Sequence, residues 1–364
     1  MTREQPGASP DAGAPAPERL VEAVRRGLGL GGSETVEVRE VGEFSNINYV
    51  YRVEAAGRSL YLKVVPEQPK RLPVRLPRER VFSEAEGLRR FGRLAGGAVV
   101  IPDVLFVDEE EMALGMSDVG EGREVLFSLL PERFELLAEQ AAPLGRALGL
   151  VHGGTRGAGT PRPPQEEALI RGIVFEGLLA PGARQAFPEL WGEVAAEMRA
   201  HDECLIHADL WSKNLLVRRG DPVAVVDFEG VCYGDPAFDL GTLLAVALVP
   251  VLEVPALVPD ALGFASRLFE EWEAACGSEG WADEVRPRAF RATATFLAAR
   301  GFGPFAYGVG EDGRRRLGAL ARSLAAEPPS DMAAFEELVT RHAQGQAPQV
   351  EGAGAGAAVS VAEG

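Results

Sequence analysis

Between residues 205 and 229 the chain reads Leu-Ile-His-Ala-Asp-Leu-Trp-Ser-Lys-Asn-Leu-Leu-Val and, after a short gap, Val-Val-Asp-Phe-Glu. No other stretch restricts the fold as tightly. His207, Asp209, Asn214 and Asp227 stand in the order that phosphoryl transfer to a hydroxyl requires. One carboxylate takes or orients the proton of the attacking hydroxyl, while an amide and a second carboxylate hold the divalent cation that bridges nucleotide phosphates. The apolar run Leu215 to Val217, the turn signal Arg219-Gly220-Asp221-Pro222 and the run Val223 to Val226 predict a hairpin. It hangs Asn214 and Asp227 at one end of two adjacent strands, where two oxygens can meet one hard cation such as Mg2+. Each residue alone reads as a cap or a buried hydrogen-bonder. Together they read as a site.

Upstream, Val36 to Val41, Ile47 to Ala55 and Ser59 to Val65 are strand-like, the last two joined by a turn at Ala56-Gly57-Arg58. Alternation puts Leu60, Leu62 and Val64 on one face and Tyr61, Lys63 and Val65 on the other. Lys63 is then an ammonium on an apolar strand, either an edge-strand guard or a contact for nucleotide phosphates. A helix from about Pro77 to Leu94 carries Glu84 and Glu86, of which Glu84 is the expected partner of Lys63. Apolar runs at Val99 to Val107 and Met112 to Val119 complete a sheet of about five strands. At Met116-Ser117-Asp118-Val119 the strand character ends, which marks a hinge whose backbone can pair with a flat heterocycle.

Past the hinge the pattern turns helical. Phe134, Leu137, Ala141, Leu144, Leu148 and Val151 form a stripe that predicts one long helix, kinked by Pro143 and closed by His152 as a dipole-complementing cap. Residues 153–188 are rich in Gly, Pro and Arg and read as a loop-bearing insertion with a short helix over Ala168 to Leu179. Asp235, followed by Pro236, is expected to cap a buried helix, and Asp239 to hydrogen-bond the backbone of the 207–214 loop. The run Leu240 to Leu252 is too short to span a bilayer, so no membrane partner is expected. Further helices run through Trp272, a core residue, and Arg300, which either caps carbonyls or reaches a ligand.

A chain of 364 residues, 46% of them hydrophobic, divides into about two units. We expect a small nucleotide-binding lobe over 18–117, a large helical lobe over 118–345, and disordered tails at 1–17 and 346–364. A formal charge of -17 argues against nucleic acid, whose phosphates are held by clustered Lys and Arg, and permits a cationic substrate. Three scattered cysteines, Cys204, Cys232 and Cys276, and the lack of an apolar leader fit a reducing, cytoplasmic setting. Oligomeric state is unreadable.

His207-Ala208-Asp209 through Asn214, Val226-Asp227-Phe228-Glu229, and Tyr233-Gly234-Asp235-Pro236 with Asp239-Leu240 resemble the aminoglycoside phosphotransferase and choline kinase superfamily. That resemblance implies an α+β, protein-kinase-like two-lobed fold, with a small antiparallel-sheet lobe and a larger, mostly helical lobe. It also implies ATP and Mg2+ as cofactors and a small-molecule substrate phosphorylated on a hydroxyl. By the same resemblance Asp209 is the base, Asn214 and Asp227 are metal ligands, and Lys63 with Glu84 holds phosphates. Glu229 adds a metal or water-mediated contact, Met116 and Asp118 belong to the nucleotide hinge, and Arg300 touches substrate.

Within that group, Gly42 to Val53 and Arg78 to Glu86 are most similar to 5-methylthioribose kinase, which implies a methylthioribose-like sugar. Three features depart from its pattern. There is no Gly-x-Gly-x-x-Gly loop, so Phe44, Ser45 and Asn46 must cradle phosphates. Asp-Phe-Glu and Asn214 stand where Asp-Pro-Glu and a Ser are usual, and a single Arg300 replaces paired arginines. An aminoglycoside, choline or amino-alcohol acceptor is the alternative, and a non-catalytic nucleotide-binding module is the alternative of another class.

Overall fold

The computed structural model describes residues 14–41, 45, 47–71, 75–159, 163–277, 280–304, 306–307 and 309–345. Five strands, β1 (Val36–Glu40), β2 (Tyr49–Ala55), β3 (Arg58–Val64), β4 (Val104–Asp108) and β5 (Ala113–Ser117), form one sheet in the order β1-β2-β3-β5-β4. All its pairs are antiparallel, with Lys63 opposite Val50 on one side and Leu114 on the other. The period-two pattern of β3 sorts its side chains between two environments. Leu60, Leu62 and Val64 pack with Leu20 and Val24 of helix α1 (Pro17–Leu28) in a small core on one face. Lys63 therefore points to the other face, toward helix α2 (Arg80–Leu94) and the rest of the molecule.

Helix α2 belongs to the larger core. Its Val81, Ala85, Leu88 and Phe91 are buried in the same cluster as the helices downstream, and the Phe91 ring meets Phe228 edge-on, with 5.3 Å between centroids. Backbone links reinforce this union, with Val100 N–H donating to Val223 O and Val225 N–H to Val100 O, both at 2.9 Å. The small sheet is thus fastened to the helical half along α2 and the segment after it.

The helical half is built around Pro236–Glu253, which is long and apolar enough to cross a membrane but has 94% of its apolar window buried inside the fold. The helices Ala141–Thr155 and Val258–Cys276 pack at very short range. Gly145, Gly149 and Gly153 recur every four residues on one face, and a Cβ on each would lie 2.3–2.5 Å from carbonyl oxygens of Leu268, Trp272 and Cys276. Any side chain there would hold the two backbones apart.

Two expectations are corrected here. The single long helix through Phe134 and Val151 is two, Phe134–Ala138 and Ala141–Thr155, and Pro143 lies in the first turn of the second, where its missing N–H costs nothing and no kink is needed. The insertion at 153–188 is mostly helical, with α-helices Pro164–Gly172 and Ala180–Ala186 flanking a π-helical segment, Ile173–Leu179. Its Gly and Pro sit largely at helix ends and connections, which is why composition alone read as loop.

Candidate active site

The 207–214 loop leaves a short strand, Cys204–Ile206, and turns sharply at Ala208, whose φ of 64° lies in the left-handed region that a Cβ disfavours. Asp239, fully buried on Pro236–Glu253, holds that turn. His207 N–H donates to its Oδ2 at 2.8 Å and Ala208 N–H to its Oδ1 at 2.9 Å. The role expected of Asp239 is therefore observed, as is the cap: Asp235 accepts from Ala237 N–H at 2.9 Å.

His152 does not cap a helix end. It is fully buried, with Nε2 3.3 Å from Asp239 Oδ2, and Trp272 Nε1–H donates to its Nδ1 at 3.0 Å. Accepting at Nδ1 leaves the ring proton on Nε2, aimed at Asp239. A chain of buried polar groups thus runs from Trp272 through His152 and Asp239 to the loop backbone.

Asp209 and Asn214 lie at either end of the loop. Asn214 Nδ2 donates to Asp209 O at 2.9 Å and to Asp209 Oδ2 at 2.7 Å, which leaves Asn214 Oδ1 as its acceptor. Burial, reinforced by the charge of Asp227, raises the Asp209 carboxyl above the usual carboxylate range, against the pull of Arg300. The predicted hairpin is present, Leu215–Val217 against Ala224–Val225, and Val226 N–H donates to Asn214 O at 3.0 Å. Asp227 follows in the left-handed conformation, φ 66°.

Lys63 joins the two halves. It is 5% exposed, and its Nζ donates to Glu84 Oε1 at 2.8 Å and Asp227 Oδ1 at 2.6 Å, with Glu229 Oε2 at 3.6 Å. Burial alone would discharge such an ammonium, but Asp227, Glu84 and Glu229 together raise its pKa well above the ordinary lysine value. Glu84 is the partner; Glu86 is solvated and no nearer than 3.9 Å to Arg93. The carboxyl of Glu229, half-buried beside Lys63 and two other carboxylates, is pushed up to about 7, removal from solvent being the main cause. Asn48, buried on the approach to β2, donates from Nδ2 to Glu229 and accepts at Oδ1 from Arg80 of α2 at 3.0 Å.

These groups open onto a cavity of about 500 Å³, within the usual range for small-ligand sites. Lys63, Glu84, Ser45, Met116, Asp209, Asn214, Asp227, Glu229 and Arg300 all line it, so nine sequence-selected residues converge on one space. Two do not join them. Asn46 lies outside the described residues, as does Phe44. Asp118 is not part of the lining, because its carboxylate accepts from Ser59 Oγ and Gly120 N–H, both at 2.8 Å, while Ser117 and Val119 face the cavity in its place. Ser45 braces the turn before β2, its Oγ donating to Asn48 O at 2.7 Å. Arg300 is 9% exposed and stacks over Trp211, 4.0 Å from the ring centroid.

Sequence reasoning missed Asn48, Trp211, Lys213 and the wall made by Ile173, Val174 and Leu178. The last comes from the π-helical segment, a geometry frequent at functional sites and without a sequence signature of its own. No group of three His, Cys, Asp or Glu side chains among the described residues forms a ready-made metal cluster. The donor set present is smaller: Asn214 Oδ1 and the oxygen of Asp227 not engaged by Lys63. One amide and one carboxylate suit a hard, partly hydrated cation that takes its remaining oxygens from phosphates.

Comparison with known proteins gives two kinds of match. A model of the "Phosphotransferase enzyme family" matches residues 40–277. Among solved structures, amicoumacin kinase hAmiN, in complex with AMP-PNP, Ca2+ and Ami, superposes with a TM-score of 0.51 at 14% identity, over 88% of this chain and 97% of that one. A choline/ethanolamine kinase family protein from Mesorhizobium loti gives 0.45 at 20% identity, over 91% and 96%, and aminoglycoside phosphotransferase APH(4)-Ia gives 0.44 at 16%, over 91% and 100%. No curated protein matches.

Proposed function

This chain belongs to the phosphotransferase enzyme family, and from that premise we propose that it transfers the γ-phosphate of ATP to a hydroxyl of a small metabolite, with Asp209 as the base. The single observation that carries the reading is the convergence of Lys63, Asp209, Asn214 and Asp227 on one cavity. In the reaction the acceptor O–H gives its proton to Asp209, its oxygen bonds to the γ-phosphorus, and the bond from that phosphorus to the bridging oxygen breaks to release ADP. The raised pKa of Asp209 makes it a better proton acceptor than a solvated carboxylate.

Lys63, fixed by Glu84, presents its charge to the phosphates. Asn214 Oδ1 and Asp227 would hold Mg2+, which neutralises phosphate charge when bound. Asp239 and His152 fix the loop so that Asp209 and Asn214 stay in register. Val50, Met116, Val119, Leu216 and Val226 give the other end of the cavity an apolar slot suited to a purine, next to the strand end at Ser117 that we take as the lobe boundary. The pentose of methylthioribose type remains one acceptor to test, and amino alcohols and aminoglycosides are others.

The test is ADP formation by purified protein with ATP, magnesium and a panel of pentoses, hydroxy acids, amino alcohols and aminoglycosides. At least one acceptor should turn over, and Asp209→Asn should lower kcat by about 10²–10⁴-fold with little change in the KM for ATP. Acceptor-independent ADP release that is equal in the parent and Asp209→Asn would overturn the reading.

A further inference from the structure

The acceptor side of the cavity carries a charge opposite to that of the whole chain. Four carboxylates line the cavity, Glu84, Asp209, Asp227 and Glu229. Three of them gather round Lys63, within 3.6 Å of its Nζ. Only Asp209 is left beside Trp211, Lys213 and Arg300, where the walls are otherwise apolar, from Ile173, Val174 and Leu178.

Arg300 is nine-tenths buried, yet no carboxylate among the described residues pairs with it, and its Nε has no hydrogen-bond partner among them. The guanidinium lies over the Trp211 ring, 4.0 Å from its centroid, and 6.0 Å from that of Tyr307, whose ring packs against Trp211 at 5.4 Å. The Ser212 hydroxyl in turn meets Tyr307 Oη at 3.2 Å, so the stack is braced from the 207–214 loop itself. Lys213 sits over the Phe127 ring, 4.8 Å from its centroid. Burial presses the Arg300 guanidinium below its ordinary pKa.

A buried cation with no carboxylate in contact is costly, and Asp209 acts on Arg300 only at longer range, which leaves the guanidinium's donors available to an anion brought by a ligand. A planar guanidinium held by stacking is matched to carboxylate or phosphate oxygens, which it can grip through two donors. A polycationic acceptor would meet repulsion from both Arg300 and Lys213, whatever the net charge of the surface. We propose that the acceptor carries an oxyanion, a carboxylate or a phosphate monoester, bound by Arg300 and Lys213 while its hydroxyl lies at Asp209. This rests on the phosphotransferase reading and narrows it.

The competing use of these cations is the transferring phosphoryl group itself, and the experiment separates the two. Purified full-length chain with ATP and magnesium is assayed on matched sets: glycerate, glycerol 3-phosphate, glyceramide and 3-amino-1,2-propanediol, and ribonate, ribose 5-phosphate and ribose. The expected result is a kcat/KM at least about tenfold higher for an oxyanion-bearing member than for its neutral or amine counterpart. Whether the carboxylate or the phosphate member leads tells which oxyanion the site takes.

Arg300→Gln should then raise the KM for that acceptor by roughly 10–100-fold, with the KM for ATP within about twofold, and Arg300→Lys should recover part of the loss. Preference for the amine or neutral member would overturn the proposal. So would a loss of kcat in Arg300→Gln that is equal for all acceptors, because that assigns the cation to the phosphoryl group. If no compound turns over although ATP binds, the phosphotransferase reading is the one in trouble. Saturation-transfer NMR of the same oxyanion compounds then decides the anion site directly: binding that Arg300→Gln abolishes supports it, and no binding to the parent overturns it.

Discussion

Asp239 shows how one side chain can hold a site that it does not enter. It is fully buried, accepts two backbone N–H groups from a left-handed turn, and is itself faced by His152 and Trp272. Asp239→Ala removes the acceptor for two buried donors and should cost about 2–4 kcal/mol in urea unfolding, with a large fall in kcat. Asp239→Asn keeps one acceptor and should lose less stability. Equal stability of parent and Asp239→Ala would show that the turn stands without it. Asp209, Asn214, Asp227 and the helix cap Asp235 were legible because chemistry or chain geometry ties residue type to short spacing. His152 was not. Its position near a helix end suggested a cap, while the partner that defines it, Trp272, lies 120 residues away. Asn48 escaped for the same reason, being joined to Glu229 across 181 residues.

Elements here are set as much by close approach as by periodicity. Gly149 sits where a Cβ would lie 2.5 Å from the Trp272 carbonyl, a backbone atom that cannot step aside. Alanine is the better helix former by about 1 kcal/mol, so Gly149→Ala would stabilise a free helix. In this fold it should cost a net 1–3 kcal/mol, roughly, through overpacking. Gly263, in the interior of the partner helix with nothing within 4 Å, is the control. Gly263→Ala should be stabilising by up to about 1 kcal/mol, and urea melts of both variants check the difference in sign.

Helix α1 is pinned differently, by Arg26, which donates from Nε and Nη2 to Asp108 of β4 at 2.9 and 3.1 Å. Burial acts to raise the Asp108 carboxyl, but Arg26 and the Glu111 and Glu110 N–H groups outweigh it, and its pKa is lowered. A carboxyl whose folded pKa is depressed contributes stability above its unfolded pKa and loses it as pH falls through the folded one. Because Arg26 is 39% exposed, solvent screens the pair and its contribution is small. Asp108→Asn should therefore be less stable than the parent by a constant amount from pH 8 down to about 5, with the gap closing below about pH 4. A gap that persisted at low pH would assign the loss to packing. The sheet and most helices were readable from periods of two and near 3.6, but the glycine stripe carries no apolar signal, and of the 164–186 helices composition left only a short one over Ala168 to Leu179 to be expected.

At the scale of the molecule, the nucleotide side and the acceptor side differ in charge, and both differ from the average of -17. Lys63 faces Glu84, Asp227 and Glu229, so one cation meets three acidic groups at the place where phosphates are proposed to bind. Nucleotide phosphates entering alone would face unbalanced carboxylates. A divalent cation carried with them, for which Asp227 and Asn214 are the proposed ligands, would remove that repulsion. ATP and magnesium should accordingly stabilise the fold as a unit. At about 100 times Kd, linkage gives roughly 2.7 kcal/mol, or a rise in Tm of roughly 3–8 °C for a chain of this size. ATP with EDTA should yield less than half of that shift, and Asp227→Ala should abolish the magnesium-dependent part. Because α2 ties Lys63 and Glu84 to the same core that carries Phe228, a bound nucleotide stiffens both halves together, and the melt should stay a single transition. An equal shift with EDTA would mean that the carboxylates are satisfied within the protein and that the cation has no place among them.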